Sequence, residues 1–256
     1  MKIAFFDSGI GGLSVLNEAL KRFSGVEFLY FADTDNVPYG TKNKEEIKNL
    51  SAYAIEFLIS QGAQAVVVAC NTATSAAVTH LREKFSIPIV GMEPAVKLAF
   101  DKFPGRPTLL IATELTIKGE KLRLLVERLG NKTLALPLPR LVEFAQKGEF
   151  QSAAVSEYLR KELSKFNLGE ISSVVLGCTH FNYFKDTLRE ILPPNAAMID
   201  GIDGTLKHLT DILGRSRFSD TPNSVRYFNS CTEADPSEVK IFESYLKRLE
   251  KMSRID

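Results

Sequence analysis

At 256 residues, the chain is long enough to bury a substantial core in one large or two small domains. Its hydrophobic fraction of 45% and charged fraction of 25% are those of an ordinary soluble globular protein. A net charge of +1 gives no electrostatic reason to expect nucleic acid or an anionic membrane surface as a partner, and no apolar run approaches the roughly 18 residues of a membrane span. Three cysteines without framework spacing favour free thiols and a cytoplasmic location.

Short apolar runs alternate along the chain with amphipathic helical patterns, which predicts an α/β fold with mostly parallel sheets flanked by helices. The predicted strands are 2–6, 27–32, 65–69, 87–90, 108–112, 133–136, 173–176, 196–199 and 225–228. The predicted helices begin near Leu13, Lys44, Thr74, Pro94, Ile117, Leu141, Gln151, Phe184, Gly204 and Pro236. A turn cluster at 103–107 separates two lobes, and the C-terminal residues pack back onto the first. We therefore predict a first lobe from residues 1–97 and 206–256 and a second from residues 98–205.

The first predicted strand is followed by the glycine-rich segment DSGIGG, residues 7–12. Glycines there permit a tight turn and expose backbone N–H groups at a helix N-terminus, where an anion can bind. A dinucleotide-binding fingerprint fits poorly, because its third glycine falls on Ser14 and Asp7 would put a carboxylate beside the pyrophosphate. A purely structural turn is the remaining alternative.

A polar loop, residues 33–41, follows the second predicted strand and contains the sequence Pro38-Tyr39-Gly40. A surface loop explains it equally well on its own. Because it leaves the same sheet edge as Asp7, we expect it to line a pocket.

Two segments about a hundred residues apart look alike: 66–72, VVVACNT, and 174–180, VVLGCTH. Each is a buried-strand run that ends in a cysteine, Cys70 or Cys178, ahead of a helix start, where the helix dipole is expected to lower a thiol pKa. Ligands bind beyond the carboxyl ends of parallel strands, and each thiol has a titratable candidate helper, Asp7 or His180. Two thiols on opposite sides of one pocket are what a racemase needs.

Less specific explanations exist for these cysteines. A single buried cysteine is most often structural, and Cys with His also suggests zinc, although the closely spaced Cys-x-x-Cys pairs of structural zinc sites are absent. Cys231, in a polar turn, is predicted to be a bystander. Glu143 begins a helical pattern and can either cap it or point into the cleft.

Five segments in order resemble the glutamate racemase family, within the cofactor-independent aspartate/glutamate racemase superfamily. They are residues 6–13, 33–40, 69–74, 91–94 and 176–180. Two segments depart from the family pattern, 112–116 and 181–183, and both alter the lining of the cleft or the packing of the lobes. The resemblance implies two pseudo-symmetric α/β lobes with the active site in the cleft between them.

The resemblance also implies interconversion of L- and D-glutamate for peptidoglycan, with no cofactor or metal, by a protein that forms homodimers. Cys70 and Cys178 match the catalytic thiols, taking the proton from D- and L-glutamate respectively; Asp7 and His180 match the assisting groups, and Glu143 a further carboxylate. The implied substrate-binding positions are Asp7, Ser8, Pro38, Tyr39, Gly40, Asn71, Thr72, Thr116, Thr179 and His180. The alternatives are an aspartate or other amino-acid racemase, a one-thiol decarboxylase or isomerase, and a non-catalytic amino-acid-binding protein.

Overall fold

In the computed structural model, which describes residues 1–129, 133–214 and 221–255, the strands form two mostly parallel sheets flanked by helices. The strands are β1 (Lys2–Asp7), β2 (Glu27–Ala32), β3 (Ala65–Val68), β4 (Ile89–Gly91), β5 (Thr108–Ala112), β6 (Thr133–Pro137), β7 (Ser173–Gly177), β8 (Ala197–Ile199), β9 (Ser224–Asn229) and β10 (Thr232–Glu233). The helices are α1 (Leu13–Arg22), α2 (Lys44–Ser60), α3 (Asn71–Lys84), α4 (Val96–Lys102), α5 (Glu114–Ile117), α6 (Glu120–Leu129), α7 (Pro139–Gln146), α8 (Ala153–Leu163), α9 (Lys185–Ile191), α10 (Ile202–Leu213) and α11 (Pro236–Met252). Short 3₁₀ helices span Tyr39–Thr41, Leu168–Glu170 and Thr179–Phe184.

The two sheets repeat one strand order. The larger runs β10-β9-β2-β1-β3-β4, parallel except for β10, and the smaller runs β6-β5-β7-β8, parallel throughout. The four strands β2-β1-β3-β4 therefore correspond one for one to β6-β5-β7-β8. The similar segments noted in the sequence, β3 and β7, occupy equivalent places, which confirms the α/β fold and explains the repeat.

The strands β3, β5 and β7 are buried at every position because both sheet faces carry helices. The runs AVVV of β3 and SVVLG of β7 have no exposed residue, as expected of parallel strands between two helical layers. Helix starts are marked in the sequence as well. Asn43 begins α2 with a reciprocal capping box to Glu46, and Asp235 does the same for α11 with Glu238.

All nine predicted strands are confirmed, and the structure adds the short edge strand β10. Helix α3 begins at Asn71, three residues before the predicted start, because Cys70 itself caps it. The segment predicted as one helix near Ile117 is two, α5 and α6. No helix in the described part of the chain combines the length and apolar character needed to cross a membrane.

The strands of the larger sheet come from residues 2–91 and 224–233, and those of the smaller sheet from residues 108–199. The predicted lobe boundary between residues 205 and 206 falls inside α10, which packs on α1 and β4 of the larger sheet. We therefore propose that α10 belongs to the first lobe as a whole.

Candidate active site

Polar and nucleophilic residues stand at the carboxyl ends of the central strands of both sheets. Asp7 is the last residue of β1, and Cys70 lies two residues beyond β3. In the smaller sheet, Thr113 follows β5 and Cys178 follows β7. Parallel strands all end at one edge of their sheet, where ligands bind in α/β folds. These four residues are nearly inaccessible to solvent and define the candidate active site.

The carboxylate of Asp7 links the two sheets. Its Oδ1 accepts a hydrogen bond from the backbone N–H of Gly9 at 3.0 Å. Its Oδ2 accepts one from the hydroxyl of Thr179, beyond β7, also at 3.0 Å. The loop after β1 is thus bound directly to the segment that carries Cys178.

Burial raises the pKa of Asp7 from 3.8 to about 7, against the lowering effect of the hydrogen bonds from Gly9 and Thr179. A carboxyl group with that pKa gains and loses a proton readily near neutral pH. This is the property required of a group that assists proton transfer.

The raised pKa of Asp7 predicts a pH-dependent stability that Asp7→Asn removes. Between pH 3.8 and about 7 the folded protein holds a proton on Asp7 that the unfolded chain has released. The stabilising effect of this proton is therefore complete below the unfolded-state pKa and is lost as the pH rises through the folded-state value. We expect the free energy of unfolding of the wild type to fall by a few kcal/mol relative to Asp7→Asn across this range, since one pKa unit corresponds to about 1.4 kcal/mol.

Urea unfolding of both proteins at about pH 5 and about pH 8 measures this difference. Asp35→Asn, which removes an exposed carboxyl group from the next loop, is the control and should follow the wild type. A constant difference between wild type and Asp7→Asn at both pH values would contradict the prediction.

Cys70 lies at the N-cap of α3, where its sulfur accepts a hydrogen bond from the N–H of Ala73 at 3.4 Å. Its thiol donates to the hydroxyl of Ser8 at 3.7 Å. That hydroxyl lies 3.5 Å from Oδ1 of Asp7, a weak contact. Ser8 therefore stands between the thiol and the carboxyl group.

Cys178 begins the 3₁₀ helix Thr179–Phe184, which brings His180 back toward it. The sulfur of Cys178 lies 3.8 Å from Nδ1 of His180. Burial lowers the pKa of His180 from 6.5 to about 3, so the imidazole is neutral. The structure thus places each predicted helper beside its thiol, Asp7 through Ser8 and His180 directly.

The expectation that the helix dipole lowers the thiol pKa values is wrong. Burial is the main cause that raises the pKa of Cys70 to about 12, and the nearby charge of Asp7 is the next. The hydrogen bond from the Ala73 N–H lowers this pKa by a smaller amount. The pKa of Cys178 is also raised well above its usual range, mainly by burial and next by the charge of Cys70. The effect of removal from water is larger than that of one backbone hydrogen bond, so both groups are protonated thiols at neutral pH.

A cluster of hydroxyl groups joins the two sheets on the side of α3. Thr72 lies 2.9 Å from Thr113 between their Oγ1 atoms, and Thr113 donates to Thr116 at 3.0 Å. Thr116, implied by the resemblance, is thus at the site. Thr113 was missed, although it follows β5 as Asp7 ends β1, and that equivalence was the available signal.

Asn71 places an acceptor without a partner in this buried region. Its Nδ2 donates to the carbonyl of Met92 at 3.1 Å, while its Oδ1 has no hydrogen-bond partner among the described residues. A buried carbonyl without a partner is costly, and this one is free to accept a hydrogen bond from a ligand.

The loop after β2 is fixed by Asp33. The hydroxyl of Tyr39 donates to Oδ2 of Asp33 at 2.5 Å, and Asn36 and Ser230 donate to Oδ1 at 2.9 and 3.0 Å. Gly40 lies so close to Thr113 that an added Cβ would be 3.3 Å from its side chain. The predicted pocket segment Pro38-Tyr39-Gly40 is therefore next to the hydroxyl cluster.

The side chain of α7 that lies at the site is Gln146, not Glu143. Glu143 is exposed, whereas Nε2 of Gln146 lies 2.7 Å from Nε2 of His180. The two residues are one helical turn apart, and sequence spacing did not determine which turn approaches the cleft. An amide, rather than the carboxylate that the resemblance implied, contacts the histidine.

The glycines of the loop after β1 let the backbone of this loop approach the side chains of Gln146 and His180 closely. Their φ angles are not positive, so the turn itself does not require glycine. An added Cβ at Gly9 would lie 2.0 Å from Nε2 of Gln146, and one at Gly11 would lie 2.4 Å from Nδ1 of His180.

No group of three or more His, Cys, Asp or Glu side chains in the described ranges is placed to share a metal ion.

Comparison with known proteins places the chain in a family. Residues 10–209 match the family described as Asp/Glu/hydantoin racemase. A glutamate racemase of Campylobacter curvus is 53% identical over 265 positions that cover all of both chains. The structure of Escherichia coli glutamate racemase in complex with L-glutamate and the activator UDP-MurNAc-ala matches with a TM-score of 0.82 at 27% identity, over 97% of this chain and 94% of that one. The structure of Francisella tularensis glutamate racemase in complex with D-glutamate matches with a TM-score of 0.80 at 25% identity, over 96% of this chain and 93% of that one. The chain belongs to the Asp/Glu/hydantoin racemase family.

Proposed function

We propose that this protein is a glutamate racemase, a cofactor-independent isomerase that interconverts L- and D-glutamate by proton transfer between two thiols. The observation that carries the proposal is the placement of Cys70 and Cys178 beyond the equivalent strands β3 and β7, each with its own titratable neighbour. Removal of the α-proton from one side of the carbon and delivery to the other inverts the centre. A pair of thiols serves no purpose in a simple binding protein.

On the Cys70 side, the thiol and Asp7 share protons through Ser8. A thiolate and a carboxylate this close repel each other, which is why the charge of Asp7 raises the pKa of Cys70. With its pKa near 7, Asp7 can be neutral when Cys70 is ionised. We assign Cys70 to the proton of D-glutamate.

On the Cys178 side, we assign the thiol to the proton of L-glutamate, with the neutral imidazole of His180 as its partner. The pKa of each thiol is too high for a base at neutral pH, so the substrate must supply part of the stabilisation of the thiolate. The α-carbon lies between the two sulfurs, and the ammonium group beside it, once desolvated, favours the thiolate form. After each turnover the two thiols exchange protonation states.

The substrate is held by the hydroxyl and amide groups around the thiols. Ser8, Thr72, Thr113 and Thr116 offer hydroxyl groups to its carboxylates, and Thr179 holds Asp7 beside them through its own hydroxyl. The unpaired Oδ1 of Asn71 is suited to its ammonium group. The segment Pro38-Tyr39-Gly40, fixed by Asp33, closes the pocket from the side of the first lobe.

The decisive test of this function is polarimetry of the purified protein with L-glutamate, without added cofactor. The rotation should decay to zero, since the equilibrium mixture is racemic, and EDTA should not change the rate. L-aspartate in place of L-glutamate tests the neighbouring specificity. No decay with glutamate, decay only with aspartate, or loss of activity in EDTA would each contradict the proposal.

In the cell, the proposed product is D-glutamate for peptidoglycan, made in the cytoplasm by a homodimer. The reaction needs only free thiols, and all three cysteines are free. Light scattering over a concentration series, with and without D-glutamate, tests the dimer, and a monomer throughout the micromolar range would rule it out.

A further inference from the structure

One contact at the site has no role in the proposed reaction. The amide of Gln146, at the end of α7, has its Nε2 2.7 Å from Nε2 of His180. The same amide covers Gly9, where an added Cβ would lie 2.0 Å from Nε2. The hydroxyl of Tyr30 donates a hydrogen bond to the carbonyl of Gly9 at 2.7 Å and so fixes the loop at this residue. Gln146 is thus packed between the histidine and a fixed loop of the larger sheet.

An amide nitrogen can donate a hydrogen bond but cannot accept one. In the orientation of Gln146 seen here the amide nitrogen faces the ring, so Nε2 of His180 accepts the hydrogen bond and carries no proton. In a neutral imidazole the proton is then on Nδ1, because the hydrogen bond made by one ring nitrogen fixes the state of the other. Nδ1 is the atom that lies 3.8 Å from the sulfur of Cys178.

The packing also fixes the orientation of the ring. An added Cβ at Gly11 would lie 2.4 Å from Nδ1 and 2.7 Å from Cε1 of His180. His180 is 2% exposed, so bulk water has little access to its ring nitrogens. Rotation of the ring would break the contacts with both Gln146 and Cys178.

The charged and titratable groups brought to this segment by its neighbours do not compete for the ring. Asp7, the last residue of β1, is bound by Thr179 and Gly9. On α11, Arg248 donates to the carbonyl of Tyr183 and to the carboxylate of Asp186. Among the residues that the structure describes, the imidazole forms hydrogen bonds with Gln146 and Cys178.

We propose that Gln146 is a positioning residue that holds His180 as the neutral tautomer with its proton on Nδ1, so that Cys178 faces a hydrogen-bond donor. In this arrangement His180 stabilises the Cys178 thiolate without accepting a proton itself. The effect on the reaction rests on the proposed function, whereas the tautomer does not.

Nitrogen NMR on the full-length protein labelled with ¹⁵N-histidine tests the tautomer directly. The chain has three histidines, and His80 and His208 are exposed, so His180→Asn identifies the remaining signal by its loss. We expect a protonated Nδ1 and an unprotonated Nε2 for His180, unchanged across the neutral pH range. A protonated Nε2, or a ring that titrates near neutral pH as an exposed histidine does, would overturn the proposal.

Gln146→Glu replaces the donor with a group that only accepts. We expect the proton to move to Nε2, or both nitrogens to be protonated, and the His180 signal to become pH-dependent. Lys147→Gln is the matched control, because it makes the same change in net charge at the next, exposed position and should leave the signal as in the wild type. An unchanged His180 signal in a folded Gln146→Glu protein would also overturn the proposal.

The kinetic consequence is measured with the same two variants. Loss of the donor beside Cys178 should lower kcat/KM by about tenfold or more for Gln146→Glu. The loss should be equal for both enantiomers, since the equilibrium constant is one, and a new ionisation should enter the pH profile. If the wild type shows the expected tautomer but no turnover of glutamate, the proposed function fails and the role of Gln146 as a tautomer-fixing residue stands. If Gln146→Glu is inactive because it does not fold, the wild-type spectrum still decides the question.

Discussion

We expect Cys70→Ser and Cys178→Ser each to lower kcat for glutamate racemisation by about 10³-fold or more. Each thiol has to act once as a base and once as an acid in a full cycle, so neither can replace the other. The environment already raises the pKa of both thiols. A serine hydroxyl ionises far less readily than a thiol, so it cannot act as the base at either position. Circular dichroism or polarimetry, started from each enantiomer, measures the loss.

Cys231→Ser is the matched control for these variants. Cys231 lies in the partly exposed turn between β9 and β10, outside the site, and its replacement should leave kcat and KM at wild-type values. Unfolding curves of the three variants separate loss of chemistry from loss of fold. If Cys231→Ser is as damaging as the other two, the catalytic pair has been misassigned.

Exchange of the α-proton in D₂O assigns each thiol to one enantiomer. Cys70→Ser retains the thiol that faces L-glutamate, so residual exchange should be faster with L-glutamate than with D-glutamate. Cys178→Ser should show the opposite preference. Reversed preferences would keep the two-thiol mechanism and exchange the assignments of Cys70 and Cys178.

The sequence predicted the positions of these thiols because the rule that locates them is local. A run of buried β-branched residues identifies the strand, and the residue that follows it lies at the sheet edge where ligands bind. The same reasoning placed Asp7 correctly at the carboxyl end of β1. It applies equally to Thr113 after β5, which was overlooked because threonine alone is not a conspicuous catalytic residue.

The contact with His180 could not be predicted in this way. Glu143 and Gln146 are one turn apart on α7, and the approach of one of them depends on how α7 packs against the 3₁₀ helix Thr179–Phe184. The thiol pKa values likewise depend on the extent of burial, which the sequence at strand ends does not reveal. The local sequence pattern locates the ends of the strands. The contact partners of the site residues and their protonation states depend on how the elements pack against one another.

The second large effect is expected from Gly11→Ala, a change of one methyl group. The φ angle of Gly11 is not positive, so alanine can adopt the backbone conformation, and the effect arises from lack of space alone. The new Cβ would lie 2.4 Å from both Nδ1 of His180 and Oγ1 of Thr179, and these buried side chains cannot move into solvent. Overpacking of this kind costs about 1–3 kcal/mol of stability.

The activity of Gly11→Ala should fall by about 10²-fold or more, because the methyl group displaces two functional contacts together. Moving His180 breaks its approach to Cys178, and moving Thr179 removes the hydrogen bond to Asp7 that joins the two lobes. Gly204→Ala is the control: in α10 an added Cβ meets no heavy atom of the described residues within 4 Å, and helix propensity predicts a gain of about 0.5–1 kcal/mol. Urea unfolding and kcat, measured on both variants, test the argument. A Gly11→Ala protein with wild-type turnover would mean that His180 can leave its position without cost, which would remove it from the proposed mechanism.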